Sequence, residues 1–181
     1  MCKSSLIQYR LLLVSLVLGV VATRAYAQNR TLTTENIDYA IRQAAPALSA
    51  DSLRPAYHLT PPAGCMGDPN GGIYHDGWYH IFYGLHPFAF HPGGWYWAHA
   101  RSQDLVHWEP LPNTLTPDRD LGLHAIGSGS TIITPGGEKL GFHSQSSSGG
   151  KMEFWQTRFT DEQFTRWSHR EKPILTLDHP G

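Results

Sequence analysis

The sequence has little charge of either sign, almost no cysteine and no hydrophobic run of membrane-spanning length. Its 14 Lys and Arg residues nearly balance its 15 Asp and Glu residues, and they form no basic or acidic block. This pattern argues against nucleic acid and anionic membranes as partners and favours neutral ligands. The sequence has two cysteines, Cys2 and Cys65. Cys2 lies in the N-terminal segment that is predicted below to be removed, so Cys65 is left without an intrachain partner. A disulfide framework is therefore excluded.

The N-terminal residues predict a secretory signal peptide over residues 1–27. Lys3 and Arg10 precede the apolar run Leu11–Val21, which is too short to span a bilayer as a mature helix. The small-x-small pattern ending at Ala27 predicts cleavage after that residue. An uncleaved anchor is the alternative. With cleavage, the protein is expected to be exported to the periplasm or the extracellular space and to have no membrane attachment.

Residues 28–53 predict one short helix followed by a linker. Apolar residues recur at helical spacing, with Thr33 or Thr34 as the N-cap, and Pro46 is expected to bend or end the helix. The residues that share one apolar face are Ile37, Ala40, Ile41, Ala44 and Leu48.

From Tyr57 onward the sequence predicts an all-β domain. Short apolar and aromatic runs alternate with turn clusters at intervals of about ten residues. Asp76-Gly77 is a type I′ turn candidate that would join a strand at Ile73-Tyr74 to a second strand over residues 78–83. The segments "GWYWAHARS" and "LVHWEPL" predict two further strands, and the segment over residues 127–160 predicts three more.

A faint internal repeat suggests a propeller. The segments that contain Trp108 and Trp167 share an order of apolar residue, tryptophan, polar stretch, proline and leucine, and the two tryptophans are 59 positions apart. This spacing suits a four-stranded blade with loops. The chain would then hold about two blades of a ring of roughly five. Because the terminal strands would be unpaired, residues 28–181 alone are expected to aggregate or to fold only partly.

The stretch "CMGDPNGG", Cys65–Gly72, places a carboxylate among small residues. Pro69 favours an extended backbone at Asp68, Asn70-Gly71 predicts a turn, and the neighbouring glycines leave open space beside the carboxylate. Such an aspartate suits a nucleophile that attacks a bulky substrate. An Asx-turn aspartate without chemistry fits these residues equally well.

A longer stretch carries a resemblance to a known family. The segments "RPAYHLTPPAGCMGDPNGGIYHDGWYHIFYGLHPF", "WAHARSQDLVHWEPLPNTLTPD" and "GSGS" closely resemble the N-terminal part of the family 32 glycoside hydrolases, which comprise invertases, levanases and inulinases. The family motif His-x-x-Pro-x-x-Gly-Trp-Met-Asn-Asp-Pro-Asn-Gly matches the positions from His58 to Gly71. A Ser-x-Asp-Leu-x-x-Trp element matches Ser102 to Trp108. The resemblance covers roughly Arg54 to Leu175.

The resemblance implies a five-bladed β-propeller, of which residues 54–181 would be the N-terminal part, and a hydrolase for β-fructofuranosides of the sucrose, levan or inulin type. It implies a retaining mechanism in which Asp68 is the nucleophile and a glutamate about 5 Å away is the acid and base. No cofactor and no metal are implied. The family takes its glutamate from a Glu-Cys-Pro segment and a stabilising aspartate from an Arg-Asp-Pro segment.

Neither of those segments occurs in the sequence. Arg119-Asp120 is followed by Leu121, which predicts a surface loop. None of the five glutamates weighed for the acid and base has the family's context; they are Glu109, Glu138, Glu153, Glu162 and Glu171. We therefore expect a truncated catalytic domain that is inactive as it stands.

The sugar pocket also departs from the family pattern. Gly67 replaces an asparagine, Gly84 a glutamine and Gly127 an aromatic residue, while Cys65 replaces a tryptophan and His86 an asparagine. Losing several contacts to a fructosyl unit should reduce discrimination for that sugar. Two interpretations stay open: a pocket enlarged for a different furanoside, or a non-catalytic carbohydrate-binding propeller. The expected pocket residues are Gly67, Gly84, Trp95 and Ser128.

Histidines are numerous, yet their spacing does not predict a metal site. Six of them crowd one region without the spacing of helical or Cys/His metal sites, and strand alternation would scatter them over both sheet faces. We expect structural or hydrogen-bonding roles for His75, His80, His86, His91, His99 and His107.

Overall fold

The computed structural model describes residues 33–55, 57–87, 94–117, 123–147, 151–169 and 172–177. The predicted signal peptide, Arg119-Asp120, His91 and Glu171 lie outside these residues. Helix α1 spans Thr34–Ser49. Its N-cap is Thr33, whose hydroxyl accepts a hydrogen bond from the Asn36 amide at 3.3 Å. No helix among the described residues is long and apolar enough to cross a membrane.

The predicted helix is confirmed in position. Pro46, which was expected to bend or end the helix, lies inside it, and the helix continues to Ser49. The predicted apolar face is buried only in its first half, since Ile37 is fully buried whereas Ala44 and Leu48 are exposed. The sheet is therefore covered by the N-terminal turns of α1 alone.

In the described part of the chain, nine strands form two antiparallel sheets. The first sheet has the order β1-β2-β3-β4, with β1 at Cys65–His75, β2 at Trp78–His86, β3 at Tyr96–Ser102 and β4 at Glu109–Leu115. The second sheet has the order β5-β6-β7-β8, with β5 at Leu123–Ile133, β6 at Lys139–Ser147, β7 at Met152–Phe159 and β8 at Trp167–His169. Strand β9, at Leu175–Leu177, pairs with the other half of β7.

The turn predicted at Asp76-Gly77 joins β1 to β2. Both residues have a positive φ, 47° at Asp76 and 82° at Gly77, as a type I′ turn requires. This geometry matches the right-handed twist of the paired strands, and it fixes the register in which His75 opposes Trp78.

The fourth strand of the first sheet begins later than predicted. Residues 105–108 of the segment "LVHWEPL" are not strand, because Asp104 holds a turn there. Its carboxylate accepts hydrogen bonds from the amides of Val106 and His107, at 2.9 and 2.8 Å, and Leu105 has a φ of 63°. Trp108 consequently lies just before β4, whereas Trp167 opens β8.

The main hydrophobic core joins the two sheets. Phe82 and Trp97 from the first sheet pack with Ile126 and Phe159 from the second, and the Phe82 and Phe159 rings stack at 5.2 Å between centroids. The opposite face of β2 is buried as well, since Tyr83 belongs to a second cluster against which α1 packs. Burial of both faces makes β2 the central strand of the first sheet.

Two histidines are buried in that core and hydrogen-bonded to each other. His80 Nδ1 lies 3.0 Å from His99 Nε2, and neither side chain is more than 3% exposed. Burial lowers the pKa of His80 to about 4, and the charges of Arg101 and His75 add to the shift. Burial also lowers the pKa of His99 well below its usual range. The pair is therefore neutral in the folded protein at neutral pH.

We predict that acid destabilises the fold through this pair. In the unfolded chain both imidazoles titrate near pH 6.5. The unfolded state therefore binds more protons between about pH 6.5 and pH 4, and the stability present above pH 6.5 falls as the pH falls through that window. We expect a loss on the order of 2–4 kcal/mol at pH 5 relative to pH 7.5, measured by urea unfolding.

The exposed His58 supplies the control for this prediction. His80→Gln removes one of the two imidazoles and should roughly halve the dependence of the unfolding free energy on pH between 5 and 7.5, whereas His58→Gln should leave it unchanged. An equal slope in the wild type and in His80→Gln would show that the buried pair is not its source.

Candidate active site

Asp68 lies at the junction of the two sheets, in a cavity of about 380 Å³. The lining comes from β1, β2, β5 and the residue just before β3: Gly67, Asp68, Asn70, Gly84, Trp95, Ile126, Gly127 and Ser128. The structure thus brings all five sequence-predicted site residues together. A larger cavity of about 680 Å³ lies between α1 and the first sheet, but it is mainly apolar and does not include Asp68.

The backbone around Asp68 is a bulged strand, and the predicted turn at Asn70-Gly71 was wrong. Strand β1 runs without interruption through Cys65–His75, and Pro69 and Asn70 pair with residues of β2. Its register shifts between Met66 and Pro69 and again between Asn70 and Ile73. A bulge re-aims side chains locally, so Asp68 is exposed to the cavity although its neighbours belong to a sheet.

Asn70 fixes this bulge to the second sheet. Its side chain is only 7% exposed; Nδ2 donates to the Asp68 carbonyl oxygen at 3.0 Å, and Oδ1 accepts from the Gly129 amide at 3.0 Å. One side chain therefore holds the backbone of Asp68 and the facing strand β5 at the same time. Sequence reasoning treated Asn70 as a turn residue and missed this role, although its position two residues after Asp68 was the available signal.

Three further hydrogen bonds close the junction beside the cavity. The Ile126 amide donates to the Trp95 carbonyl at 2.8 Å, Trp97 Nε1 donates to the Gly127 carbonyl at 2.9 Å, and the Thr131 hydroxyl donates to the Gly71 carbonyl at 2.6 Å. All three connect β5 to the first sheet. The cavity walls are thus held by backbone groups, which limits how far the two sheets can move apart.

Replacement of Asn70 by alanine should loosen this junction. The Gly129 amide would lose its partner in a buried setting, so we expect a loss of about 1–3 kcal/mol in the free energy of unfolding, measured in urea. Asn70→Asp keeps the acceptor for Gly129 and should lose less. The exposed Gln103→Ala is the control and should change little. An Asn70→Ala variant as stable as the control would contradict the role given to this side chain.

The glycines of the pocket do not leave open space, contrary to the expectation that their missing side chains enlarge it. A Cβ atom at Gly67 would lie 2.8 Å from Trp95 Cζ3, and one at Gly84 would lie 3.4 Å from Trp95 Cε3. At Gly127 a Cβ atom would collide with the Ser144 hydroxyl. Other side chains therefore occupy the volume at Gly67 and Gly127, and at Gly84 the Trp95 ring lies within van der Waals contact of the Cβ position.

Ser128 is an exposed polar residue of the cavity wall opposite β1. Its carbonyl oxygen accepts a long hydrogen bond, 3.5 Å, from the Ser144 hydroxyl. Ser128 follows Gly127 on β5, and both residues line the cavity. The structure therefore places Ser128 in the pocket in which the sequence predicted it.

Among the described residues that line this cavity, Asp68 is the only carboxylate. Four of the glutamates considered above have other partners. Glu109 pairs with Arg101 at 3.0 Å, Glu138 with Arg158 at 2.5 Å, and Glu162 with His75 and Lys139 at 2.7 and 2.9 Å. Glu153 accepts from Trp155 Nε1 at 3.0 Å. The described residues thus place one carboxylate in the cavity, without a second carboxylate beside it.

The histidines are not arranged as metal ligands in the described part of the chain. No group of three or more His, Cys, Asp or Glu side chains there can hold a metal ion. Cys65 is a half-buried free thiol. His75 and His107 pair with carboxylates, and His86 lies edge-on to Trp95 at 5.6 Å between ring centroids.

Comparison with known proteins places these residues in one family. The model of the glycosyl hydrolases family 32 N-terminal domain matches residues 58–180. An acid beta-fructofuranosidase of Solanum lycopersicum is 44% identical over 85 residues, which are 47% of this chain and 13% of that protein. A levanase of Bacillus subtilis is 47% identical over 83 residues, 46% of this chain and 12% of that protein. The matched region is thus a small part of either relative.

A solved structure with the same fold supports this placement. Fructan 1-exohydrolase IIa from Cichorium intybus superposes with a TM-score of 0.63 at 30% identity, over 70% of this chain and 24% of that chain. Sucrose-6-phosphate hydrolase from Lactobacillus gasseri gives a TM-score of 0.67 at 22% identity, over 82% and 32% of the two chains. The two sheets therefore have the arrangement found in part of each of these enzymes.

Proposed function

Because the chain belongs to glycosyl hydrolase family 32, we propose that it is part of a glycosidase that acts on β-fructofuranosides, with Asp68 as its nucleophile. The exposed carboxylate on a bulged strand, in a cavity between two sheets, carries this proposal. The names of the relatives support the substrate class, and the Cichorium intybus enzyme has a solved complex with 1-kestose. We extend the proposal to a five-bladed propeller of which residues 54–181 form the N-terminal part, and to export directed by residues 1–27.

The proposed first step is attack by an Asp68 carboxylate oxygen on the anomeric carbon of the fructosyl unit. The new bond is an ester between Asp68 and that carbon, while the bond from the carbon to the leaving group breaks with its electron pair. A sugar leaving group needs a proton from an acid, and the later attack by water needs a base. The described cavity offers neither, so the chain alone should be very slow on sucrose.

A donor whose leaving group needs no proton tests the nucleophile by itself. We expect β-fructofuranosyl fluoride to release fluoride in a burst and to leave one fructosyl unit on the chain, since fluoride departs as an anion. Peptide mass spectrometry should locate the adduct on Asp68. Fluoride release that never exceeds the buffer rate, with no adduct, would contradict the proposed function.

A second candidate function is binding of carbohydrate without catalysis. The observation that favours it is the lone carboxylate of the described cavity. Saturable binding of methyl β-fructofuranoside, together with an unlabelled Asp68 in the fluoride experiment, would select it. Labelling of Asp68 would select the glycosidase.

A further inference from the structure

The only cysteine among the described residues lies opposite a histidine. Cys65 begins β1 and His86 ends β2, and the register of these antiparallel strands makes the two residues direct partners. Directly opposed residues of an antiparallel pair share a sheet face, and their Cβ atoms lie about 4.5–5.5 Å apart. The two residues are distant in the sequence, so only the pairing of β1 with β2 shows that the thiol has an imidazole beside it.

The neighbouring pair of residues shows which sheet face carries the thiol. Met66 and Leu85 are the next partners in the register, and both belong to the apolar cluster against which α1 packs. Because successive side chains of a strand alternate between the two faces, Cys65 and His86 lie on the opposite face. On that face the His86 ring meets the Trp95 indole edge-on, with an interplanar angle of 89°. Since Trp95 lines the candidate active site, the thiol and the imidazole lie at the edge of that cavity.

The His86 imidazole is buried and has one nitrogen without a partner. The residue is only 7% exposed, and its Nδ1 atom accepts or donates no hydrogen bond in the part of the chain that the structure describes. An unpaired buried polar atom lowers stability, so it indicates a ligand or a reaction partner. The residue directly opposite is Cys65, which is half-buried and forms no disulfide. A neutral imidazole nitrogen can accept the proton of such a thiol.

We propose that Cys65 is a modification site, at which the thiol forms a mixed disulfide with a low-molecular-weight disulfide while His86 Nδ1 accepts its proton. The Cys65 sulfur attacks one sulfur of the small disulfide and forms a new S–S bond. The old S–S bond breaks, and its electron pair goes to the leaving thiolate. The proton passes from the thiol to His86 and then to that thiolate. Cys65 is oxidised and the small disulfide is reduced, so the exchange requires no other oxidant.

The mixed disulfide lies on the sheet face that carries Trp95. A group attached to the Cys65 sulfur extends over the His86 ring or displaces it, and the centroid of that ring is 5.6 Å from the centroid of the indole. Modification of Cys65 should therefore change the environment of Trp95 and, through it, the cavity that holds Asp68.

The pH dependence of the thiol reaction tests the proton acceptor. In the full chain with Cys2→Ser, dipyridyl disulfide should release one equivalent of chromophore, and a further Cys65→Ser substitution should abolish the release. An unassisted thiol reacts only as its thiolate, so in concentrated urea the rate should fall about 25-fold between pH 8 and pH 6.5. In the folded chain the rate should fall less than about fivefold, since an imidazole keeps its acceptor lone pair until the pH approaches 6.5. An equally steep profile in the folded chain, or a folded chain that does not react, would overturn the proposal.

Three substitutions in the same Cys2→Ser chain identify the acceptor. His86→Asn should give the steep profile of the unfolded chain, and a shallow profile in this variant would contradict the role of His86. The exposed His58→Asn is the matched control and should keep the shallow profile. Asp68→Asn should keep it as well; a profile that turns steep only in Asp68→Asn would assign the proton to that carboxylate and overturn the proposal. If His86→Asn does not fold, the comparison of the folded and unfolded parent chain still decides.

A spectroscopic measurement tests where the mixed disulfide lies. In protein with ¹⁵N-labelled tryptophan, the Trp95 indole N–H resonance, assigned by its loss in Trp95→Phe, should shift when Cys65 is modified. It should return after reduction with dithiothreitol, whereas the resonance of Trp167 in β8 should not move. A fully modified Cys65 with an unmoved Trp95 resonance would overturn the link between this site and the cavity.

Discussion

Asp68→Asn should abolish the covalent fructosyl adduct, lowering the rate of fluoride release from β-fructofuranosyl fluoride by at least about a thousandfold. An amide oxygen carries no negative charge and is a far weaker nucleophile than a carboxylate. Because each tenfold change in rate corresponds to about 1.36 kcal/mol of activation free energy, the expected loss corresponds to about 4 kcal/mol of transition-state stabilisation. Burst amplitude, adduct mass and the slow phase of fluoride release can be measured on the same samples.

The fold should survive this substitution. The Asp68 side chain is exposed, and the hydrogen bond from Asn70 is to its backbone carbonyl, which asparagine retains. The urea midpoint of Asp68→Asn should therefore equal that of the wild type. Asp76→Asn is the matched control: it makes the same chemical change in the β1–β2 turn, where asparagine accepts the positive φ. The control should label normally.

Labelling that persists in Asp68→Asn would remove Asp68 from the chemistry. The mass-spectrometric site would then show which other group attacks the sugar. A loss of labelling in Asp76→Asn as well would point to the hairpin's conformation as the cause. Asp68 is supported as the nucleophile only if Asp68→Asn is not labelled and Asp76→Asn is labelled normally.

Local signals in the sequence predicted those parts of the fold that depend on neighbouring residues. Thr33 caps the helix and Asp76-Gly77 forms the hairpin because both depend on backbone conformations that a few adjacent residues determine. The strand boundary near Trp108 was wrong because the hydrogen bonds of Asp104 to its following amides outweigh the β-propensity of Leu105 and Val106.

The site required long-range pairing that the sequence does not display. Asn70-Gly71 is typical of a turn, yet pairing with β2 and the hydrogen bond from Gly129 hold it in a bulged strand. In the same way Gly67 and Gly84 suggested an open pocket because only their own missing side chains were visible. The indole of Trp95 reaches both positions from just before β3, and only the folded structure brings it there.

The position most sensitive to added volume is in β5, directly behind the cavity. A Cβ atom at Gly129 would collide with the Phe142 carbonyl oxygen and lie 2.8 Å from both His143 Cα and Trp97 Cζ2. Two of these three contacts are with the backbone of β6, which is fixed by its pairing with β5 and β7. Gly129→Ala must therefore force the two strands apart or displace the buried Trp97.

We expect Gly129→Ala to lower the free energy of unfolding by more than about 3 kcal/mol, or to prevent folding. Displacement of β5 would also break the bond from the Gly129 amide to Asn70, and the backbone of Asp68 would lose that support. Urea unfolding followed by tryptophan fluorescence measures the effect. Gly72→Ala adds the same methyl group where nothing lies within 4 Å, and it should stay within about 0.5 kcal/mol of the wild type. Equal urea midpoints for the two variants would mean that β5 and β6 do not approach as closely at Gly129 as the structure shows. The hydrogen bond from Gly129 to Asn70 would then not explain how Asp68 is positioned.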